Sequence, residues 1–371
     1  MAAYRFDDGP VKTWWRDEPF PDDLRVHAGI GGTIVAHSAP FERTMWNVVL
    51  RRQVSTALPP LTIAQMDCTQ ARARAIGLPA DLERAAKVTG AAHQKDTAGG
   101  NNMLEMASPQ ETTFSSVSAA HAYWAGAPAL VIQDDLAISR YQIGTNIDDV
   151  MTLHWLYDDA RRAKQTSYCV TDVLAECGVD LVVPHLSPSE RALWGLDQKI
   201  NDRGVMVDAP FIERLVQIVD IAARNANRHM WTLTNGAVKK CTENAKFKKW
   251  LNDQGVECDS VKKGDADELI ATSRQIGKPH VAEAIALRNA ASKSSTAKFK
   301  RALACMGADR RIRGQFVYHA ASPGRWAGAT VQLQNLVRVD EERELPTIRH
   351  IVAIVEAFDN PQAAHDLIEA L

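Results

Sequence analysis

Apolar positions change period partway along the chain. Through residues 1–184, short apolar runs alternate with stretches of helical spacing. Thr33-Ile34-Val35-Ala36 follows Gly31-Gly32 and predicts a short buried strand. Met45, Trp46, Val49 and Leu50 predict a helix over residues 41–50, and residues 82–88 predict another. Residues 97–120 are rich in Gly, Asn, Ser and Thr and predict a loop. Residues 148–163 and 168–177 predict helices. Strands and helices mixed in this order predict an α/β first domain ending at 184.

From residue 185 helical spacing dominates. Ser187-Pro188-Ser189-Glu190 has the form of a capping box with proline at the first helical position. The helix it opens carries Leu193, Leu196 and Ile200 and stops at Asn201-Asp202-Arg203-Gly204. Asp208 then caps a long helix with Phe211, Leu215, Ile218 and Ala222 on one face. Phe247, Trp250 and Leu251 form an apolar face in a lysine-rich segment. A helix over residues 281–306 is interrupted by Ser292-Lys293-Ser294-Ser295-Thr296, and residues 348–371 are again helical. The expected divisions are 1–184, a helical region 185–340, and a helical segment 341–371.

Charge changes the picture more than composition does. The net charge of -2 hides an asymmetry: residues 191–330 hold 24 Lys and Arg against 14 Asp and Glu, a net of +10, and the rest of the chain is acidic. A basic middle in an acidic whole points to a polyanion held against one face. Six Cys in 371 residues exclude a disulfide scaffold. With no Cys-x-x-Cys or His-Glu-x-x-His spacing, zinc is not expected. No apolar run reaches membrane-spanning length, and Met1-Ala2-Ala3-Tyr4-Arg5-Phe6-Asp7-Asp8 does not read as a signal peptide. The expectation is a cytoplasmic protein that does not engage a membrane.

Chemistry-bearing residues cluster in three places. Ala36-His37-Ser38-Ala39-Pro40-Phe41-Glu42 follows the first predicted strand. Tyr168 and Asp172 are four apart, which puts both on one face of a helix. Tyr318-His319-Ala320-Ala321-Ser322-Pro323-Gly324-Arg325-Trp326 leads into Gln332-Leu333-Gln334-Asn335-Leu336.

In this order and separation the three stretches resemble family A DNA polymerases of bacterial or phage type, those with a proofreading exonuclease domain ahead of the polymerase. The first resembles the Asn-x-x-Phe-Asp motif of DEDD 3′–5′ exonucleases, with Ser38 for Asn and Glu42 for Asp. The second matches the Tyr-x-x-x-Asp motif. The third resembles the Thr-Gly-Arg loop and Gln-Asn-Leu segment ahead of the palm, with Pro323 for Thr. The resemblance implies an RNase H-like exonuclease domain followed by a mostly α-helical thumb region.

It also implies roles. Glu42 and Asp172 would bind Mg²⁺ or Mn²⁺, since hard ions take oxygen ligands and paired ions stabilise both oxygens of a phosphodiester displacement. Tyr168 would orient the attacking water. Arg288, Lys293, Lys298, Lys300 and Arg301 would meet duplex phosphates, with Gln334 and Asn335 beside them. Arg325 would meet the primer terminus. The partners implied are primer–template or single-stranded DNA.

The Asp-x-Glu motif is missing, and adjacent Asp7 and Asp8 cannot share a strand face to replace it. The palm motif Asp-x-x-x-Ile-Glu and the fingers and His-Asp-Glu motifs are missing too. The expectation is a truncated polymerase lacking polymerase activity alone, with impaired exonuclease activity, and either a split gene whose palm and fingers polypeptide is encoded separately or a truncated open reading frame. The rival readings are a non-catalytic DNA-binding or assembly module and a stand-alone degradative nuclease, the latter disfavoured by the missing motif.

Overall fold

The structure is a computed structural model. It describes every residue except 56, 109, 115–149, 155, 157, 259–264, 292–296, 322, 337–339, 341–343 and 371. The chain forms two compact units, residues 1–198 with 318–326, and residues 199–317 with 327–371. The expected boundary at 184 falls at the end of a helix, whereas the compact units change at Gln198.

The first unit opens with an antiparallel pair, β1 (Ala2–Tyr4) and β2 (Lys12–Trp14), then α1 (Asp22–Gly29). β3 (Ile34–Ala36) pairs in parallel with β4 (Met66–Cys68). The crossover carries α2 (Ala39–Thr44), a π-helical turn (Met45–Leu50) and α3 (Arg51–Gln53). The predicted strand is therefore present, but it is only partly buried: Val35 faces solvent and Ala36 the core. Helices α4 (Thr69–Ala75) and α5 (Leu82–Thr89) follow. Asp81 accepts from Arg84 N to start α5, and Gly90 in the left-handed region ends it.

Two expectations fail next. Residues 97–107 form helix α6 (Thr97–Ala107), not a loop, and β5 (Gln110–Phe114) follows it. The Gly-Asn run is poor helix sequence, but a β-carbon at Gly99 would come within 2.3 Å of Tyr168 Cδ2, so tertiary packing sets the residue type. Residues 150–154 form β6 (Val150–His154), antiparallel to β5, where a helix is predicted. Only pairing with a distant strand decides this, and local spacing does not carry it. Asp148 and Asp149 lie outside the described residues.

α7 (Asp159–Val182) starts at Asp158, whose carboxylate accepts from Arg161 N, and α8 (Pro188–Arg203) starts at the predicted box. The core has two parts. Trp46, Met66, Trp194 and Tyr318 pack with Ala36 and Ala39. Ala73, Ala85 and Ala86 meet Ala175, Val179 and Val183 of α7 and its end.

The second unit is mostly helical. Its helices are α9 (Ala209–Leu233), α10 (Asn244–Asp253), α11 (Ala266–Gln275), α12 (Pro279–Ala291) and α13 (Ala297–Cys305). Short strands β7 (Val205–Met206), β8 (Arg311–Ile312), β9 (Phe316–Val317) and β10 (Ala327–Gly328) pair two by two. The end of the chain forms α14 (Leu345–Ala357) and α15 (Pro361–Glu369) rather than one helix, because Asn360 caps a new start. Asp208 caps α9, and Ile218 with Phe211 and Leu215 packs on Val355 and Ala364. Phe247, Trp250 and Leu251 are buried together with Met230, Val281 and Ile285. Among the described residues no helix is long and apolar enough to cross a membrane, and helices with small two-stranded sheets make a mixed α/β chain.

Candidate functional site

In the first unit, α7 carries Tyr168, Asp172 and Glu176 at four-residue intervals. That spacing drifts slowly around a helix, so the three share a broad face. Tyr168 is buried and Asp172 half-buried. Lys95 comes from the segment before α6. Its Nζ is 3.6 Å from Asp172 Oδ2 and 5.7 Å from the centre of the Tyr168 ring. Burial raises the Asp172 carboxyl above its ordinary range even with Lys95 alongside, and burial likewise raises the Tyr168 hydroxyl. Burial is the largest single influence and acts to lower Lys95, but the charges and hydrogen bonds of Asp172 and Tyr168 together outweigh it and hold the ammonium above its ordinary value.

Glu42 lies on α2 with its side chain exposed, and it makes no hydrogen bond or ion pair among the described residues. The protein atoms around it still raise its carboxyl by removing hydration, an effect its exposure limits. Its charge acts to raise the Glu176 carboxyl and the Cys169 thiol.

Glu176 is the residue the sequence reading missed. The available signal was a third acid four residues beyond Asp172. Burial first, then the charges of Glu42 and Asp180, push its carboxyl up to about 8. The Thr69 hydroxyl oxygen lies 3.2 Å from Glu176 Oε1 and 3.0 Å from His37 Nδ1, while His37 Nε2 is 3.0 Å from Ala80 O. Burial lowers His37, keeping the imidazole neutral with its proton on Nε2, toward Ala80. One hydroxyl proton cannot serve both Glu176 and Nδ1. A neutral Glu176 resolves this: it donates to Thr69, and Thr69 donates to His37.

A divalent-ion pair fits these residues poorly. Asp172 Oδ1 is buried with no hydrogen-bond partner, as a ligand atom could be. Its other oxygen faces Lys95, however, and among the described residues no three His, Cys, Asp or Glu side chains converge as a metal site.

In the second unit the basic residues take different places. Lys298 Nζ donates to Gln332 O at 3.2 Å and Asn335 O at 2.9 Å, bracing the 332–335 turn. Lys300 pairs with Asp220 at 2.5 Å. Arg288 lies over the Phe247 ring and donates to Asn244 Oδ1, and burial lowers its guanidinium. Arg301 is exposed and makes no ion pair or hydrogen bond among the described residues. Lys293 lies outside the described residues.

Lys298, Lys300 and Arg301 line a groove of about 530 Å³, faced by Thr330, Val331 and Gln332. Thr330 and Gln332 have φ of 54° and 53°, a left-handed backbone uncommon for such residues. Gln334 lies against the backbone at Gly328, where a β-carbon would be 2.1 Å from its Nε2, and Asn335 Nδ2 donates to Gln332 Oε1.

Arg325 belongs to the first unit. It is exposed and makes no ion pair or hydrogen bond through its side chain among the described residues. Of the three sequence stretches, residues 36–42 and 168–172 lie in the first unit, and the third is divided, with 318–326 in the first unit and 332–336 in the second.

No family model matches the chain. The chain is 28% identical, over 358 residues, to a DNA polymerase of Bacillus phage SP02. The alignment covers 95% of this chain and 48% of the phage protein, so the chain spans about half the length of the relative it matches. That likeness runs through both units, and it relates the chain by sequence to a DNA polymerase.

Proposed function

We propose that the chain is the exonuclease-like and thumb-like part of a family A DNA polymerase and that it binds primer–template DNA. The first unit would be RNase H-like and the second a thumb. The observation that carries this reading is the alignment with a phage DNA polymerase along 95% of the chain. The groove beside Arg301, in a region of net charge +10, supports the binding half of the proposal. Such contacts go to phosphates and position a duplex without reading its sequence.

Neutralised phosphates release counterions, so affinity should fall with salt at a log–log slope of about −0.9 per phosphate. Three or four contacts predict a slope of roughly −3 to −4. Arg301→Ala should flatten the slope by about one unit and weaken all sequences alike. Lys300→Ala should do less, since Asp220 already meets that charge. Titration of labelled primer–template duplexes at several salt concentrations checks this, and a salt-independent affinity would overturn it.

Activity is expected to be small. The 371 residues hold no palm or fingers motif, so the chain alone should not extend a primer. Mg²⁺ or Mn²⁺ would be held weakly by Glu42 and Asp172, and 3′–5′ degradation of single-stranded DNA should be absent or very slow. Degradation in Mg²⁺ or Mn²⁺ that stops in Asp172→Ala would overturn that expectation. A second reading, a non-catalytic DNA-binding or assembly module, is favoured by one observation: Lys95 lies against the carboxylate that a metal would need.

A further inference from the structure

The 318–326 segment is fastened to the first unit through one carboxylate. Glu190 stands in the first turn of α8, where Ser187 Oγ accepts from its backbone N–H at 3.3 Å. The Tyr318 hydroxyl donates to Glu190 Oε2. His319 Nε2 lies 3.5 Å from the same oxygen. The Tyr318 and His319 rings stack with centroids 4.4 Å apart and planes 31° apart. Tyr318 is buried against Trp194, so its ring is fixed by packing and its hydroxyl by Glu190.

The fastening reaches Arg325 through the backbone. His319 has φ of 47°, a conformation that costs energy for a non-glycine residue and persists only where neighbours hold it. Gly324 has φ of 74°, and a β-carbon there would touch the His319 ring at 3.4 Å. The turn is closed by Gly324 N donating to Ala321 O at 2.9 Å and by Ala321 N donating to Arg325 O at 3.1 Å. Arg325 therefore extends into solvent from a turn held at both ends, while its own side chain makes no hydrogen bond or ion pair among the described residues.

We propose that Glu190 is a positioning residue for Arg325: through Tyr318 and His319 it fixes the turn that aims the guanidinium at a recessed 3′ end of a duplex. The inference rests on the reading of Arg325 as the primer-end contact. A long side chain on a loose turn loses rotamer and backbone entropy on binding, and a fixed turn removes the backbone share of that cost.

The test uses the full chain and two labelled duplexes of equal length, one with a recessed 3′ end and one blunt. Arg325→Ala should lower the preference for the recessed end by about tenfold, the size of one charge-assisted hydrogen bond. Glu190→Ala and Tyr318→Phe should lower the same preference by a similar factor and leave blunt-duplex affinity and its salt slope unchanged. Glu190→Gln should keep most of the preference, because its amide oxygen still accepts from Tyr318. In the double variant Arg325→Ala/Glu190→Ala the losses should not add, as for residues acting through one contact.

Additive losses, or equal weakening of both duplexes by Tyr318→Phe, would overturn the positioning role alone. An unchanged preference in Arg325→Ala would overturn the primer-end reading itself. If Glu190→Ala fails to fold, Tyr318→Phe decides, since it keeps the ring and its packing.

Discussion

Arg72→Ala should destabilise the first unit by about 3–5 kcal/mol, the cost of breaking a buried ion network by removing one partner. Arg72 is 1% exposed, and each of its N–H groups is used. Nη1 meets Asp67 Oδ2 at 3.3 Å and Asp180 Oδ1. Nη2 donates to Asp180 O and Val183 O, and Nε donates to Pro184 O at 3.2 Å. Asp180 O lies in the last turn of α7, where carbonyls have no intrahelical donors and the helix carries partial negative charge, and Val183 O and Pro184 O follow at and just past its end. One guanidinium thus braces the end of α7 and pairs with two carboxylates.

Alanine would leave Asp67, Asp180 and three carbonyls without it. Lysine should restore little, because an ammonium has three donors on one atom and no planar fork. Urea unfolding of the full chain followed by tryptophan fluorescence measures the effect, taking the first unit's transition separately from the second's. A loss below about 1 kcal/mol, the range of exposed pairs, would mean that water replaces the guanidinium. The same helix carries Tyr168 and Asp172, so a frayed end of α7 also loosens the candidate site.

The sequence was most legible where the determinant is local. The box at Ser187 starts α8, Asp208 caps α9, and Phe247, Trp250 and Leu251 turn inward together. Spacing alone put Tyr168 and Asp172 on one helix face. It failed where the determinant is distant. β6 exists because β5 pairs with it. α6 carries glycines because Gly99 lies on the Tyr168 ring.

The sites divide in the same way. Lys95 reaches Asp172 from another element, and Glu190 reaches Tyr318 across 128 residues, so neither contact leaves a local pattern. Lys298 and Lys300 read alike in sequence, yet one braces a backbone turn and the other pairs with Asp220, and only the fold distinguishes them.

The proton on Glu176 gives the last large effect. A carboxyl with an ordinary value of 4.5 is pushed up to about 8 in the folded chain. Below 4.5 the group is neutral in both folded and unfolded states, and its contribution is fully present. Between 4.5 and 8 the folded state keeps a proton that the unfolded state has lost. Stability therefore falls as pH rises through this window, by at most about 1.4 kcal/mol per pH unit. Half-burial of the side chain admits some water, so the whole loss should be about 2–3 kcal/mol rather than the full linkage value.

His37 works in the opposite sense. Its lowered value gives stability that is present at high pH and lost as pH falls. Glu176→Gln separates the two, because glutamine carries the neutral acid's donor to Thr69 and leaves His37 in place. The variant should match the parent near pH 4.5, pull ahead steadily to pH 8, and hold a constant lead above it. Denaturation midpoints at four or five pH values give that difference directly. Parallel curves for the two proteins would show that Glu176 is ionised throughout, with the Thr69 hydroxyl donating to it and His37 Nδ1 left to another donor.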